Sequence, residues 1–410
     1  MKILFVLNQL PYPPRNGITI PTFNYLSRLA CDHHVSLLLV KENIEQLDHE
    51  QVANNKKYVE KLWIVERYRI QKIVAVKDEI LNRRPYFLGW NCDSKKLYDC
   101  LDGQAFDVVW GSPVSVADVM ESIYNILGPS PVYVAGISDC YTAVLRNMGR
   151  KLFMKGLDCK TRILYALQWT RSGLLGRMEA KILQKYDLIL VQTDADKVWL
   201  SNISAGKLYN KITVLPNGVN ESLFQLPIEY RSQNILFLGA LEGGYKKVLS
   251  WIIENIWSII RCVRGNASFF IIGKGASTEL RNLMLKDNHI IYSEYVPDIC
   301  DVFREKAVML APVFKNYGLI NKVIESMAAG VPVVGDSGSF NGIPGFENGH
   351  HGIIAKNAQD MAQAALNVLG SPQSHLKIAR SARALVLKHF SWQDRIHTII
   401  KKLESLKYGK

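Results

Sequence analysis

The stretch Tyr317-Gly318-Leu319-Ile320-Asn321-Lys322-Val323-Ile324-Glu325-Ser326-Met327-Ala328-Ala329-Gly330-Val331-Pro332-Val333-Val334 reads as a loop, a short helix, a glycine stop and a buried strand. The helix is predicted over Asn321–Ala329. Its first turn has backbone N–H groups with no intrahelical acceptor and a partial positive charge, which suits a diphosphate. Lys322 adds a full charge beside it, and Leu319, Ile320 and Asn321 supply the approach. Glu325, three residues on, shares a helix face with Lys322, and its carboxylate can accept two hydrogen bonds from a ribose diol. As a pair alone, Lys322 and Glu325 read more simply as an exposed ion pair on an ordinary helix. The Gly-x-Pro-Val-Val that follows, and the position after a strand, shift the reading toward a ligand site.

Working outward, continuous apolar runs alternate with helical stretches twice over. In the first series the predicted strands are Ile3–Leu7, Val35–Val40, Leu62–Val65, Val108–Trp110, Val132–Ala135 and Leu188–Val191. Helical stretches lie near Thr22–Ala30, Ile70–Asn82, Val114–Leu127 and Thr161–Lys185. In the second the strands are Ile235–Leu238, Phe269–Ile272, Ile290–Tyr292, Val308–Ala311, Val331–Val334 and Ile353–Ala355, with helices at Lys247–Val263, Asn321–Ala329 and Ala358–Leu369. Apolar strands between helices mean parallel sheets covered on both faces. The 410 residues suit two such domains of about 200 residues each. The fold class is therefore α/β, with two Rossmann-like, doubly wound domains, 1–210 and 211–390, expected to face each other across a cleft. A last amphipathic helix, 391–408, begins near Ser391, with Trp392, Ile396, Ile399 and Ile400 at helical spacing, and is a candidate to pack back on the first domain.

Ligands of open α/β sheets bind at the carboxyl ends of strands. After the first strand, Pro11-Tyr12-Pro13-Pro14-Arg15-Asn16-Gly17 is rich in proline with a single glycine, which disfavours the Gly-rich turn of a nicotinamide or flavin enzyme. Gly17 either presents backbone N–H groups to an anion or only reverses the chain. In the second series Gly239 opens a segment running to Lys246 and Lys247, either of which can neutralise a phosphate. Gly273, then Tyr295 and Val296, follow the next two strands and complete a set of loops that can hold a nucleobase by backbone groups. In the first domain Asp139, Gly111 and Ser112 lie at strand ends and can face a sugar or acceptor. Asp139 is equally a helix N-cap. The histidines form no set with metal-ligand spacing, and no G-x-S-x-G, Walker loop or H-E-x-x-H is present.

The formal net charge is +13. From Arg146 to Lys185 ten lysines and arginines face only Asp158 and Glu179, with Leu152, Phe153, Leu164, Tyr165, Trp169 and Leu174 interleaved. This is either a solvated helical face or a surface for anionic headgroups. The seven cysteines are odd in number and scattered, without a CxxC pair, so neither a zinc site nor a disulfide framework is indicated. No apolar run is long enough to span a bilayer, and the N-terminal apolar run is too short for a signal peptide. A reducing cytoplasm is the expected home, with peripheral attachment to the inner face of a membrane as the alternative.

These motifs together resemble the retaining glycosyltransferases of the GT-B fold, family 4-like, whose members build polysaccharides and surface glycans. The resemblance spans nearly the whole chain. It rests on the Pro11–Gly17 loop, Leu215-Pro216-Asn217-Gly218-Val219, Phe237-Leu238-Gly239, Ile272-Gly273-Lys274-Gly275, Tyr295-Val296-Pro297-Asp298, Gly318 through Val334, and Phe390-Ser391-Trp392. It implies a nucleotide-sugar donor, by resemblance a UDP-sugar, bound by the second domain, and a glycan, lipid-linked or small-molecule acceptor. Lys246, or Lys247 in its place, would contact the donor diphosphate, Glu325 the ribose, and the Gly17 backbone the donor phosphate. Asp139, Lys246 and Glu325 are the candidate catalytic residues. Retention would follow front-face displacement, the leaving phosphate helping to deprotonate the acceptor hydroxyl. No metal or cofactor is expected, the nucleotide-sugar being a substrate, and nucleic acid is not an expected partner. The sequence departs from many relatives at Tyr317, where a first glutamate is usual, at Ala240 and Leu241, where an arginine is usual, and near Gly111, where no histidine stands. The departures at Tyr317 and at the absent arginine motivate one alternative, a non-catalytic nucleotide-sugar-binding or scaffold protein of a glycan assembly; a nucleotide-sugar epimerase or hydrolase on the same fold is a second, since fold does not fix function.

Overall fold

The computed structural model describes residues 1–14, 16–69, 90–138, 140–150, 158–242, 244–313 and 319–409. The chain divides into two compact units, 1–216 with 393–410, and 217–392.

In the first unit the strands are β1 (Lys2–Leu7), β2 (His34–Lys41), β3 (Lys61–Arg69), β4 (Trp90–Cys92), β5 (Val108–Ser112), β6 (Val132–Gly136), β7 (Leu188–Val191) and β8 (Ile212–Val214). They line up in the order β4-β3-β2-β1-β5-β6-β7-β8. Every pairing is parallel except β3 with β4. Ile3, Leu4, Phe5 and Val6 are fully buried, as are Leu37 to Val40. This is what a sheet covered on both faces requires, and it explains why these strands read as unbroken apolar runs.

The second unit holds β9 (Asn234–Leu238), β10 (Ser268–Ile272), β11 (Ile290–Ser293), β12 (Val308–Ala311), β13 (Val333–Gly335) and β14 (Ile353–Ile354). The order is β11-β10-β9-β12-β13-β14, all parallel. Trp257 stacks on Phe269 at 5.4 Å beneath this sheet. Burying each such side chain contributes about 2–3 kcal/mol.

Both sheets reverse their winding in the middle. The chain runs outward from β1 to β4 and then returns to β5 on the other side of β1, and likewise from β9 to β11 and back to β12. The crevices at these reversals, beside the carboxyl ends of β1 and β5 and of β9 and β12, are where doubly wound sheets hold ligands.

Each strand predicted from sequence falls on an observed one. Among the described residues, two strands were not predicted. β4 is a three-residue antiparallel addition, and β8 is only three residues long, both too short for a periodicity to register. β8 pairs with β7 and carries the first unit past residue 210. The predicted helix Lys247–Val263 is in fact helical over Gly244–Ile252 and Ser258–Val263, with a π-turn over Ile253–Trp257 between them. The helix predicted over Val114–Leu127 begins as a 3-10 turn, Val114–Val116, and becomes α-helical at Ala117. The predicted helix Ile70–Asn82 lies outside the described residues. The last helix, Trp392–Tyr408, belongs with the first unit from Gln393 onward, and Lys407 Nζ meets Asp107 Oδ1 there at 2.9 Å.

Candidate functional site

At the reversal in the second unit, β9 ends at Leu238 and the chain passes through Gly239. β12 ends at Ala311, and its continuation leads to the helix Asn321–Ala328. The residue before this helix is Ile320, whose side chain cannot cap it, so among the described residues the first-turn N–H groups have no side-chain cap. Lys322, on that turn, reaches back over β9. An ideal Cβ on Gly239 would stand 3.0 Å from Lys322 Nζ, and the ammonium lies 4.8 Å from the centre of the Phe237 ring. A positive charge, an uncapped helix start and a glycine backbone thus share one place at the switch point, the combination that attracts a diphosphate. Glu325, one turn on, is half-buried, and removal from solvent pushes its carboxyl pKa up to about 7. Among the described residues its carboxylate accepts no hydrogen bond.

The glycines here fit through backbone contact. A Cβ on Gly273 would fall 1.8 Å from the Gly239 carbonyl oxygen. Gly239 N–H donates to Ile272 O at 3.0 Å, and Leu241 N–H to Lys274 O at 2.7 Å. Only glycine at 273 lets the loops after β9 and β10 lie against each other.

The helix start is held from behind. Asn217, 2% exposed, donates from Nδ2 to Asn321 Oδ1 at 3.2 Å. The next residue, Gly218, lies flat on Trp392, where a Cβ would come 2.5 Å from Cδ2. Val219 N–H donates to Phe390 O at 2.9 Å. The Asn-Gly-Val and Phe-Ser-Trp segments, 173 residues apart from Gly218 to Ser391, therefore meet in space, and Asn217 passes that rigidity to Asn321.

The other expected site residues make further contacts or lie outside the described part. Lys246 Nζ pairs with Glu279 Oε2 at 3.0 Å. That ion pair and the Ser277 hydroxyl hold the Glu279 carboxyl down at about 2, with the Ser277 hydrogen bond the largest cause. Lys247 is exposed. Tyr295 is exposed, with Lys274 Nζ 5.7 Å from its ring centre, and Val296 packs on the apolar layer that includes Ile320 and Val323. Leu319 is half-buried and packs on the same layer. Gly17 precedes the helix Thr19–Leu29, and a Cβ there would meet nothing within 4 Å. The Ile18 and Thr19 amides both donate to Asn16 Oδ1 at 2.9 Å, so Asn16 satisfies them from within. Asp139 and Gly318 lie outside the described residues, as do Arg15 and Tyr317. Gly111 serves packing, since a Cβ would stand 2.9 Å from Met120 Cγ and Sδ, and Ser112 is buried.

In the first unit the sequence reading missed a polar pocket of about 320 Å³ lined by Asn8, Lys41, Glu42, Asn43, Gln46 and Arg67. Asn8 follows β1, Lys41 to Asn43 end and follow β2, and Arg67 belongs to β3, so the rule of strand carboxyl ends points to them. Arg67 is 7% exposed; burial lowers its pKa while Glu42 and Asp118 oppose the shift. The Pro-rich loop is fixed nearby in sequence. Tyr12 N–H donates to Asn55 Oδ1 at 2.9 Å and Asn55 Nδ2 to Tyr12 O at 2.7 Å, and Tyr12, Phe23 and Tyr58 form an aromatic trio.

Residues 232–371 match the family described as Glycosyl transferases group 1. No curated protein sequence matches the chain. Among solved structures, HepE of Anabaena in complex with UDP and glucose superposes with a TM-score of 0.65 at 13% identity, over 99% of this chain and 100% of that one. Sucrose-phosphate synthase from Thermosynechococcus elongatus gives 0.66 at 13% identity, over 100% of both chains. TarM of S. aureus, in complex with fondaparinux, alpha-GlcNAc-glycerol and UDP, gives 0.65 at 10% identity, over 98% of this chain and 100% of that one. At such identities the likeness is one of fold, two Rossmann-like domains of the GT-B type.

Proposed function

We propose that this chain, whose residues 232–371 match the model of the group 1 glycosyltransferases, moves a sugar from a nucleoside-diphosphate sugar, a UDP-sugar, to a hydroxyl of a glycan, lipid-linked or small-molecule acceptor, with retention at the anomeric carbon. The single observation that carries this reading is the position of Lys322, its ammonium set against Gly239 at the uncapped start of the Asn321–Ala328 helix. In this reading the anomeric carbon–phosphate oxygen bond breaks and a bond to the acceptor oxygen forms on the same face. The acceptor proton passes to the departing diphosphate. Negative charge grows on that diphosphate as the bond breaks, so a fixed cation and helix-start amides stabilise the transition state more than the ground state. Glu325 takes the ribose hydroxyls. The polar pocket at the ends of β1 to β3 in the first unit suits a hydroxyl-rich acceptor, offering donors from Asn8, Lys41 and Arg67 and acceptors from Glu42 and Gln46. HepE, seen with UDP and glucose, supports the choice of uridine.

Calorimetric titration with UDP, GDP and their common sugar conjugates, without added metal, tests the donor assignment. Micromolar binding of UDP or a UDP-sugar, lost in Lys322→Ala, is expected. Absence of binding to every nucleotide overturns the reading. Release of UDP that needs an added acceptor separates transfer from epimerisation and hydrolysis.

A further inference from the structure

The Cys159–Leu183 helix changes character halfway along. Its second half buries Leu175, Met178, Ala180 and Leu183 in the first unit. From Cys159 to Arg171 it buries no residue at all. That outer half is nevertheless apolar in part, with Ile163 57% exposed, Leu164 50% and Leu167 53%, and Leu174 beyond them is 50% exposed. At 100° per residue, Ile163, Leu167 and Leu174 lie within about 40° of one another. They form one ridge along the helix rather than scattered surface residues.

The charges around the ridge all have one sign. By the same count Lys160 and Arg171 flank it on one side, Arg177 on the other, and Lys181 continues it at the far end. The helix carries five lysines and arginines (Lys160, Arg162, Arg171, Arg177 and Lys181) and a single acid, Glu179. Glu179 is 1% exposed and turned to the Thr142 hydroxyl, so the outer face of the helix bears no carboxylate. Behind the ridge, the Arg146 guanidinium lies 2.9 Å from the centre of the Trp169 ring. Asp158 caps the helix start through the Thr161 amide and hydroxyl.

A contiguous apolar ridge left in water marks a contact surface. An apolar ridge with a wholly basic border matches an anionic bilayer on both counts. The leucine and isoleucine side chains enter the boundary between headgroups and acyl chains, and the lysine and arginine stems lie along them with their charges among phosphates. No helix of the described residues is long and apolar enough to cross a membrane, so the attachment is to the surface. We propose that the Cys159–Leu183 helix docks this protein on anionic lipid bilayers, with Ile163, Leu167 and Leu174 inserted and Lys160, Arg171, Arg177 and Lys181 on the headgroups. This function is separate from sugar transfer and stands or falls independently of it.

Flotation of the full chain with phosphatidylcholine vesicles, with and without phosphatidylglycerol as a quarter of the lipid, tests the proposal. Binding to the anionic vesicles is expected, weakened by raising salt to about 1 M, where the Debye length falls to about 3 Å. Two variants divide the contributions. Ile163→Ser/Leu167→Ser/Leu174→Ser is expected to lower partitioning by about tenfold or more, and Lys160→Ala/Arg171→Ala/Arg177→Ala by roughly a hundredfold at low salt. All six positions are away from the core, and unchanged far-ultraviolet circular dichroism checks that the variants fold. Equal binding of wild type and either variant overturns the proposal, as does equal binding to neutral vesicles. So does a wild type that ignores vesicles but falls from dimer to monomer in the serine variant, which would assign the ridge to a second copy.

Discussion

Asn217 Nδ2 donates to Asn321 Oδ1 at 3.2 Å, tying the turn that opens the second unit to the first residue of the helix that carries Lys322 and Glu325. The bond is buried on the Asn217 side, and a buried amide left without its partner costs about 1–3 kcal/mol. Asn217→Leu is expected to destabilise the protein by about that amount in urea unfolding. It is also expected to weaken UDP binding several-fold under conditions where the protein is fully folded, because the helix start loses its anchor. Unchanged affinity in the folded variant would reduce Asn217 to a purely structural residue.

Two neighbouring glycines make opposite predictions. A methyl at Gly239 would meet the mobile tip of Lys322 at 3.0 Å, whereas one at Gly273 would meet the Gly239 carbonyl oxygen at 1.8 Å. The lysine tip can move and the backbone cannot. Gly239→Ala should therefore cost about 1 kcal/mol or less in stability while lowering donor affinity about tenfold, by displacing the ammonium. Gly273→Ala should cost about 3 kcal/mol or more, since the two loops must separate. Thermal unfolding and calorimetry on the same two proteins separate the effects. A reversed order in either measurement contradicts the placement of Lys322.

Lys322→Ala and Glu325→Gln probe the proposed donor site by different routes. Losing a charge-assisted contact to a diphosphate costs about 1.5–3 kcal/mol, so Lys322→Ala should bind UDP roughly 10- to 100-fold more weakly at every pH. Glu325 behaves differently because its carboxyl pKa is pushed up to about 7. Only the ionised form accepts both ribose hydroxyls, so wild-type affinity should rise as pH increases through about 7. The glutamine variant should bind more weakly at pH 8 and lose that rise. A pH profile shared by wild type and Glu325→Gln would remove Glu325 from the site.

The fold was legible because the strands are buried on both sides. Runs such as Ile3–Leu7 and Val308–Ala311 have no polar face to blur them, and each falls on an observed strand. What stayed hidden has local physical causes. β8 is three residues long, and the helix His49–Lys56, with Asn55 in the fastening of the Pro-rich loop, is too polar for an apolar period. The candidate site was legible only in pieces. Lys322 could be picked out because it sits at a helix start after a strand, which is local information. Its approach to Gly239 spans 83 residues by their numbering, and the bond from Asn217 to Asn321 spans 104; spacing carries neither. Lys246, attractive as a phosphate ligand by position, has its charge engaged by Glu279, a partner that no local pattern announces.

Glu179 gives a prediction about stability that is independent of any ligand. It is 1% exposed. Its Oε2 accepts from the Thr142 hydroxyl and from Cys140 Sγ at 3.7 Å, and Thr142 Oγ1 in turn accepts from Trp199 Nε1 at 2.9 Å. Burial outweighs these hydrogen bonds and pushes the carboxyl pKa up from 4.5 to about 7. A pKa higher in the folded state means that the folded protein holds more protons between about 4.5 and 7, so stability falls as pH rises through that window. The full contribution is present below about pH 4.5 and gone above about 7. The shift corresponds to about 3 kcal/mol. Glu179→Gln keeps an acceptor for Thr142 and has no charge to bury. Its stability should therefore match wild type near pH 4.5 and exceed it by up to about 3 kcal/mol at pH 8, read from urea midpoints at both pH values. A difference that stays constant with pH would mean that Glu179 titrates alike in the folded and unfolded chain.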